Sequence, residues 1–281
     1  VAAEEAFGEA ATLLVATGGL ASGIVVGNRG DVAARQGQLQ EAIDLFRTAR
    51  TILDEHGATG HSARLRIEMA EALESSGLTA EALGELEDAV PILERLSLVL
   101  EATRGHFAMG RIHLRNKRFE LALASLHAAI ARARSLDNRR MGVAIQLAIA
   151  ETCIAMGRLD EGAAQLDALE HETQGPYDET LLAHHRSLLF EALNEPERAR
   201  DAAQRAVDLA TPLNIKPLLV DVLALLAWTQ RASGDPEHAI ETGRRAVDLA
   251  HSIREGFHGH RLRAAFLASK IFAHEALVAA L

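Results

Sequence analysis

The chain has 281 residues, of which 48% are hydrophobic and only 4% aromatic, so its apolar mass is mainly alanine, leucine, valine and isoleucine. This composition favours closely packed helices. The formal net charge of −10 disfavours binding to nucleic acid or to an anionic membrane, because both need a positive field. The single cysteine, Cys153, excludes an internal disulfide framework and indicates a reducing compartment, for which we take the cytoplasm.

Residues 1–19 predict half of a helical repeat, so we expect the chain to begin inside a helix and to be part of a longer protein. The stretch between Glu9 and Arg29 carries no charge and is nearly long enough for a membrane span. Gly18-Gly19 interrupts it with a helix stop signal, which favours two helices with buried faces and no membrane segment. The positions that match the second helix of later units are Ala3, Phe7 and Ala10.

Small residues recur along the rest of the chain at spacings of 40, 40, 40, 37 and 40 residues. One ladder of small positions is accompanied by a second, seven residues later, and by a third, twelve residues earlier. The three ladders are Ala42, Ala82, Ala122, Gly162, Ala199 and Ala239; Ala49, Ala89, Ala129, Leu169, Ala206 and Ala246; and Gly30, Ala70, Gly110, Ala150, Ser187 and Ala227. A period of this length predicts stacked helical units whose apolar faces are buried only against their neighbours.

Each of the six full units is expected to contain a helix A, a tight turn, a helix B and a longer connection to the next unit. Gly or Asn in the tight turns supplies the left-handed conformation that ends a helix. The turns are centred on residues 37, 77, 117, 157, 194 and 234. We therefore predict an all-α fold, a right-handed α-α superhelix of antiparallel helix pairs, over residues 1–259.

Large apolar residues occupy one further place of helix B, at Phe46, Leu86, Leu126 and Leu166. With the small ladders at the eighth, twentieth and twenty-seventh places, this pattern resembles the tetratricopeptide repeat over almost the whole chain. The units exceed the common 34-residue form by about six residues, consistent with longer helices and a longer connection. The resemblance implies a solenoid that binds a protein or peptide in a concave groove.

Residues 260–281 leave the repeat frame and are predicted to form one amphipathic helix that caps the array. This segment resembles the helix that closes the tetratricopeptide array of bacterial CHAT proteins, in which a caspase-like protease domain usually follows. The matching residues are Arg263, Phe266, Ala268, Ser269, Lys270, Glu275 and Leu281, whereas His274 stands where an aromatic residue is usual. The resemblance implies a sensor or partner-binding arm that controls a protease.

Patterns that carry catalysis or metal binding are missing from the sequence. The 13 histidines include no His-Glu-x-x-His pair, and the adjacent His184 and His185 would point about 100° apart on a helix. Cys153 falls on the packing side of a helix A, which favours a buried apolar role over that of a nucleophile. We therefore expect no enzyme activity, cofactor or metal in this chain.

In the resembling family, places two, five, nine and thirteen of helix A line the concave groove. In the third unit these are Arg104, Phe107, Arg111 and Arg115, a pattern suited to an acidic or phosphorylated peptide through bidentate bonds and an apolar anchor. The other expected groove residues are Arg64, Glu71, Glu151, His184, Glu191, Trp228 and Arg231. Trp228 is interpreted either as a binding anchor or as a residue that packs against the terminal helix.

Charge is distributed unevenly over two adjacent units. Residues 71–94 contain seven acidic and no basic side chains, whereas residues 98–140 contain nine Lys or Arg against three acids. The two segments either complement one another across the stack and set its register, or present a basic surface to a ligand.

The leading hypothesis is a non-catalytic interaction module that binds a protein or peptide and regulates an attached effector, such as a CHAT protease. The alternatives are the sensor arm of a bacterial ATP-dependent transcription regulator and a passive self-assembling scaffold. The residues leave the partner and the oligomeric state open.

Overall fold

A computed structural model describes residues 19–36, 38–136, 138–255, 266 and 270–281. These residues contain α-helices, one short 3-10 turn and no strand, and they confirm the predicted all-α helical-repeat fold. The chain divides into two compact units, each of which contains several repeats: the first unit is residues 1–112 and the second unit is residues 113–281. Residues 1–18 of the predicted half repeat lie outside the described residues. So do residues 260–265 and 267–269 of the predicted terminal segment.

The helices of the first unit alternate between helix A and helix B of successive repeats. They are α1 (Leu20–Arg35), α2 (Leu39–Glu55), α3 (Thr59–Ser75), α4 (Thr79–Arg95) and α5 (Val99–Arg115), whose last three residues belong to the second unit. The helices A in this list are α1, α3 and α5.

The second unit continues the alternation, with α7, α9 and α11 as helices A. Its helices are α6 (Phe119–Ala133), α7 (Arg139–Ala155), α8 (Leu159–Leu169), α9 (Pro176–Ala192), α10 (Pro196–Ala210), the 3-10 turn Thr211–Leu213, α11 (Lys216–Ala232), α12 (Pro236–Glu255) and α13 (Ile271–Ala280). None of the helices that the structure describes is long and apolar enough to cross a membrane.

The connections between repeats correct one expectation in the first unit. The four helices α2 to α5 each have 17 residues, and only three residues separate each from the next. The predicted longer connection is therefore wrong here, and the residues beyond the common repeat length lie in the helices. Ser97 and Lys117 take left-handed φ angles of 55° and 56°, so the turns do not require Gly or Asn at this position.

The three ladders of small positions lie in the core of the repeats. All of their members are buried, and the alanines are at most 1% exposed. The polar member, Ser187, donates a hydrogen bond from its hydroxyl to the carbonyl oxygen of Ala199 at 2.8 Å, which satisfies it inside the core. Except at Leu169, the close approach of helix A to helix B therefore rests on side chains no larger than these, as the spacing predicts.

The terminal helix α13 packs against α11 and α12. Ala273, Ala276 and Ala280 form its buried side. At its N-terminal end, the Lys270 ammonium lies 2.7 Å from both carboxylate oxygens of Asp221 on α11. The predicted single helix over residues 260–281 falls partly outside the described residues, so its boundary stays a prediction.

Substitution of two glycines tests whether the distance between helices depends on the small ladder residues. Gly30 belongs to a ladder and Gly84 does not. A Cβ on Gly30 would lie 2.6 Å from Cε1 of the buried Phe46, whereas a Cβ on Gly84 of α4 would meet nothing within 4 Å. We expect Gly84→Ala to raise the free energy of unfolding by about 0.5–1 kcal/mol through helix propensity. Gly30→Ala should lower it, since overpacking of about 1–3 kcal/mol exceeds the same propensity gain.

Urea unfolding of both variants checks this expectation, with Gly84→Ala as the matched control. Equal stabilisation by the two substitutions would show that the α1–α2 contact tolerates a larger residue.

Candidate ligand-binding face of the helices A

Ion pairs connect the two helices A at the end of the first unit, α3 and α5. We call these contacts the ion-pair ladder. Its three pairs are Arg64–Glu101 at 3.0 Å, Arg104–Glu71 at 3.1 and 2.7 Å, and Arg111–Glu74 at 3.1 Å. Two of them join the acidic segment of the sequence to the basic one, which supports the interpretation that the two segments complement each other. The positive charges of Arg104 and Arg111 are therefore already neutralised by carboxylates of the chain before any ligand binds.

The half-buried Glu68 adds negative charge beside this ladder. Burial raises the pKa of its carboxyl group; Arg104 and Arg64 oppose the shift, while the charges of Asp31 and Glu71 add to it. Around Glu68, the described residues supply the carboxylates of Asp31, Glu68, Glu71, Glu74 and Glu101 and the guanidinium groups of Arg64, Arg104 and Arg111. Among these groups, carboxylates outnumber guanidinium groups.

The predicted cluster around Phe107 forms only in part. The guanidinium carbon of Arg111 lies 5.8 Å from the centroid of the Phe107 ring, within the range of a cation–π contact. Arg104 pairs with Glu71 in the same unit. Arg115 is exposed and lies beyond the boundary, in the second unit.

In the second unit, Glu151 of α7 pairs with His185 of α9, the neighbour of the predicted groove residue His184. The His185 Nε2 atom lies 3.4 Å from a Glu151 carboxylate oxygen, and Nδ1 donates to the Leu181 carbonyl oxygen at 2.7 Å. Burial lowers the pKa of His185, but the hydrogen bond and charge of Glu151 outweigh it and the net shift is upward.

The neighbouring His184 has the opposite electrostatics. Its Nδ1 atom is buried and has no hydrogen-bond partner among the described residues. Burial and the adjacent His185 lower its pKa from 6.5 to about 4, against the attraction of Glu151. His184 is therefore still neutral at the pH at which His185 gains its proton.

Glu191 and Trp228 connect α9 to α11. The indole Nε1–H of Trp228 donates to a Glu191 carboxylate oxygen, and its ring centroid lies 5.8 Å from that of Phe272 on α13. Of the two interpretations of Trp228, the structure shows the packing against the terminal helix. Arg231, one turn further along α11, is exposed and has no ion-pair partner in the described part of the chain.

No group of three or more His, Cys, Asp or Glu side chains within the described ranges is placed to hold a metal ion. Cys153 is 3% exposed, and burial raises the pKa of its thiol. This environment agrees with the expected apolar packing role and disfavours the reactive thiolate.

Sequence reasoning missed several residues that contact the predicted site residues: Glu68, Glu74 and Glu101 in the first unit, and His185 and Phe272 in the second. One of them had a detectable signal, since Arg64, Glu68 and Glu71 follow the four-then-three spacing of one helical stripe. The other residues take part through contacts between helices. The four groove positions considered on each helix A do not reveal such contacts.

The raised pKa of Glu68 predicts that its negative charge opposes folding at neutral pH. Below pH 4.5, the usual pKa of a glutamate, the carboxyl group is protonated in both the folded and the unfolded chain and does not affect stability. Its unfavourable effect on folding grows as the pH rises above 4.5 and is complete above the pKa of the folded chain. We expect Glu68→Gln to raise the melting temperature at pH 7 and to leave it unchanged near pH 4. Glu87→Gln on the exposed surface of α4 is the control, and an equal rise in both variants would contradict the local origin.

His184 predicts a loss of stability in acid. Below pH 6.5 the unfolded chain binds a proton that the folded chain refuses until about pH 4, so the free energy of unfolding falls across this window by up to about 3 kcal/mol. His185, whose folded pKa is raised, acts in the opposite direction and at higher pH.

We expect His184→Gln to flatten the stability profile between pH 6.5 and 4, measured by urea unfolding at each pH. The matched control is His127→Gln, which removes an exposed histidine. A profile for His184→Gln that still parallels the wild type would exclude this residue as the cause.

Two segments of the chain match sequence profiles of the tetratricopeptide repeat: residues 22–95 and residues 107–179. The comparison with curated proteins found no match.

Among solved structures, the chain is similar to a STAND protein (Signal Transduction ATPase with Numerous Domains) with a tetratricopeptide repeat sensor from Pyrococcus horikoshii. The TM-score is 0.63 at 15% identity; the match covers 92% of this chain but only 40% of that protein's length.

Two Rap proteins are also similar and each match covers 92% of this chain. One, in complex with Competence and Sporulation Factor, has a TM-score of 0.59 at 15% identity and is covered over 76% of its length. The other, the Rap conjugation gene regulator of plasmid pLS20 in complex with the Phr* peptide, has a TM-score of 0.60 at 13% identity and is covered over 74%. Residues 22–95 and 107–179 are therefore tetratricopeptide repeats, and this chain has the all-α helical-repeat fold.

Proposed function

We propose that this chain is a non-catalytic interaction module whose helix-A face in the first unit binds a peptide or an extended protein segment. The observation that carries the proposal is the row of charged side chains on α3 and α5, most of them partly exposed, set on helices that bury apolar residues such as Ile67 and Ile112. Similar folds in the two Rap complexes hold Competence and Sporulation Factor and the Phr* peptide, which supports a peptide ligand.

The charges of this face favour a cationic ligand. An acidic or phosphorylated peptide, expected from the sequence, would have to displace Glu71 and Glu74 from Arg104 and Arg111. A lysine or arginine of a ligand would instead meet the surplus carboxylates around Glu68 and relieve their mutual repulsion. We therefore propose a basic segment as the ligand and keep the acidic one as a competing outcome.

Binding at this face is proposed to regulate an attached effector. The similarity to the STAND protein supports the sensor arm of an ATP-dependent regulator as a second candidate function. A caspase-like effector of the CHAT type, a cytoplasmic location and self-assembly as a scaffold remain predictions from the sequence.

A random twelve-residue peptide library displayed on phage tests the ligand chemistry. We expect selection on the wild-type chain to enrich peptides with a net positive charge. The enrichment should be lost with Glu68→Lys, because that substitution reverses the charge at the centre of the carboxylate cluster. It should persist with Glu87→Lys, which makes the same change on the exposed side of α4.

Salt and phosphopeptides distinguish the remaining outcomes. Binding of the enriched peptides should weaken as ionic strength rises, measured by fluorescence anisotropy. Enrichment of acidic peptides, or tighter binding of a phosphoserine peptide, would replace the basic ligand with the one expected from the sequence. Failure to enrich any peptide would contradict the proposed peptide-binding face.

A further inference from the structure

Two imidazole rings meet at the seam between α12 and α13. The Nε2 atoms of His251 and His274 lie 3.3 Å apart, and the ring centroids are separated by 5.4 Å with the planes inclined by 42°. Both side chains are half-buried, so water reaches them. One nitrogen can donate to the other only while a single Nε2 carries a proton, because two protonated rings would repel.

The separation of the two nitrogens also matches that of two ligands of one metal ion. Two Zn–N bonds of about 2.0–2.1 Å at a tetrahedral angle place the nitrogens about 3.4 Å apart. We propose that His251 and His274 form a binding site for a divalent transition-metal ion of the zinc, nickel or copper class, for which imidazole is a preferred ligand. The ion replaces the shared proton between the rings.

The packing of the two helices holds the rings in place without a metal. A Cβ on Gly243 of α12 would lie 3.1 Å from Cα of Leu277, which shows how closely α13 approaches at this point. Ala250 of α12 and Ala273 of α13 are buried in one apolar cluster beside the histidines. The site is therefore largely formed before an ion arrives, and little ordering of the chain opposes binding.

Charged side chains of both signs lie near the pair along the chain. The described ones within about one helical turn are Asp248 and Arg254 on α12, Glu275 on α13, and Lys270 at the start of α13. Lys270 is engaged by Asp221, which reduces its repulsion of a cation. With two protein ligands, water completes the coordination, so the ion is exchangeable and binds more weakly than in a four-ligand structural site.

A metal ion at this seam would hold the terminal helix against the last repeat. Because the ion binds the folded arrangement, saturating Zn²⁺ should raise the melting temperature of the whole chain. We expect this rise to disappear in His251→Gln and in His274→Gln, whose side chains keep a polar group of similar size. His127→Gln, which removes an exposed histidine of α6, should keep the full rise, and EDTA should reverse it.

A spectroscopic measurement separates metal binding from a change in folding. Electron paramagnetic resonance of added Cu²⁺ should show two imidazole nitrogens in the wild type and at most one in either variant. Zn²⁺ stabilisation of equal size in His274→Gln, or Cu²⁺ spectra without two nitrogens in the wild type, would overturn the proposal. Because α13 lies outside the first unit, failure of this site would leave the proposed peptide-binding face untouched.

Discussion

The fold depends on one constraint: where helix A meets helix B, the side chain is glycine, alanine or serine at every ladder position except Leu169. Close backbone approach buries these residues completely and lets large neighbours such as Phe46 fill the space around them. The same spacing is repeated at every unit, so the core is a series of equivalent contacts between neighbours rather than one central cluster. Loss of a small residue at one contact disturbs the stacking of the helices on both sides.

The chemistry of the helix-A face follows from this packing. Apolar side chains of successive helices A pack together in the interior, as Val143 and Leu147 of α7 do with Leu182 and Leu189 of α9. Polar side chains make further contacts between these helices. In the first unit these contacts are guanidinium–carboxylate pairs; in the second they are His185 with Glu151 and Trp228 with Glu191. Partly exposed pairs of this kind contribute little to stability, about 0–1 kcal/mol each.

The positions of the small ladders and the helical-repeat fold could be predicted because they obey a local rule repeated along the chain. The length of the connections could not, because Leu96 and Leu98 carry no stop signal and the Ser97 turn is held by its neighbours. The partners on the candidate face also escaped prediction. Whether His184 or His185 faces Glu151 depends on the rotation of α9 about its axis in the packed structure. Two identical neighbouring residues give no information on that rotation.

The equal lengths of α2 to α5 and of the turns between them have a consequence for how such a chain can change. Inserting a single residue within one of these helices rotates every later side chain by about 100° and takes the small ladder out of phase. Gain or loss of a complete helix pair with its two turns preserves the phase, because the turn that closes one unit has the same length as the turn inside it. Between α2 and α5, the array is therefore intolerant of single-residue insertions within its helices and tolerant of duplication by whole helix pairs.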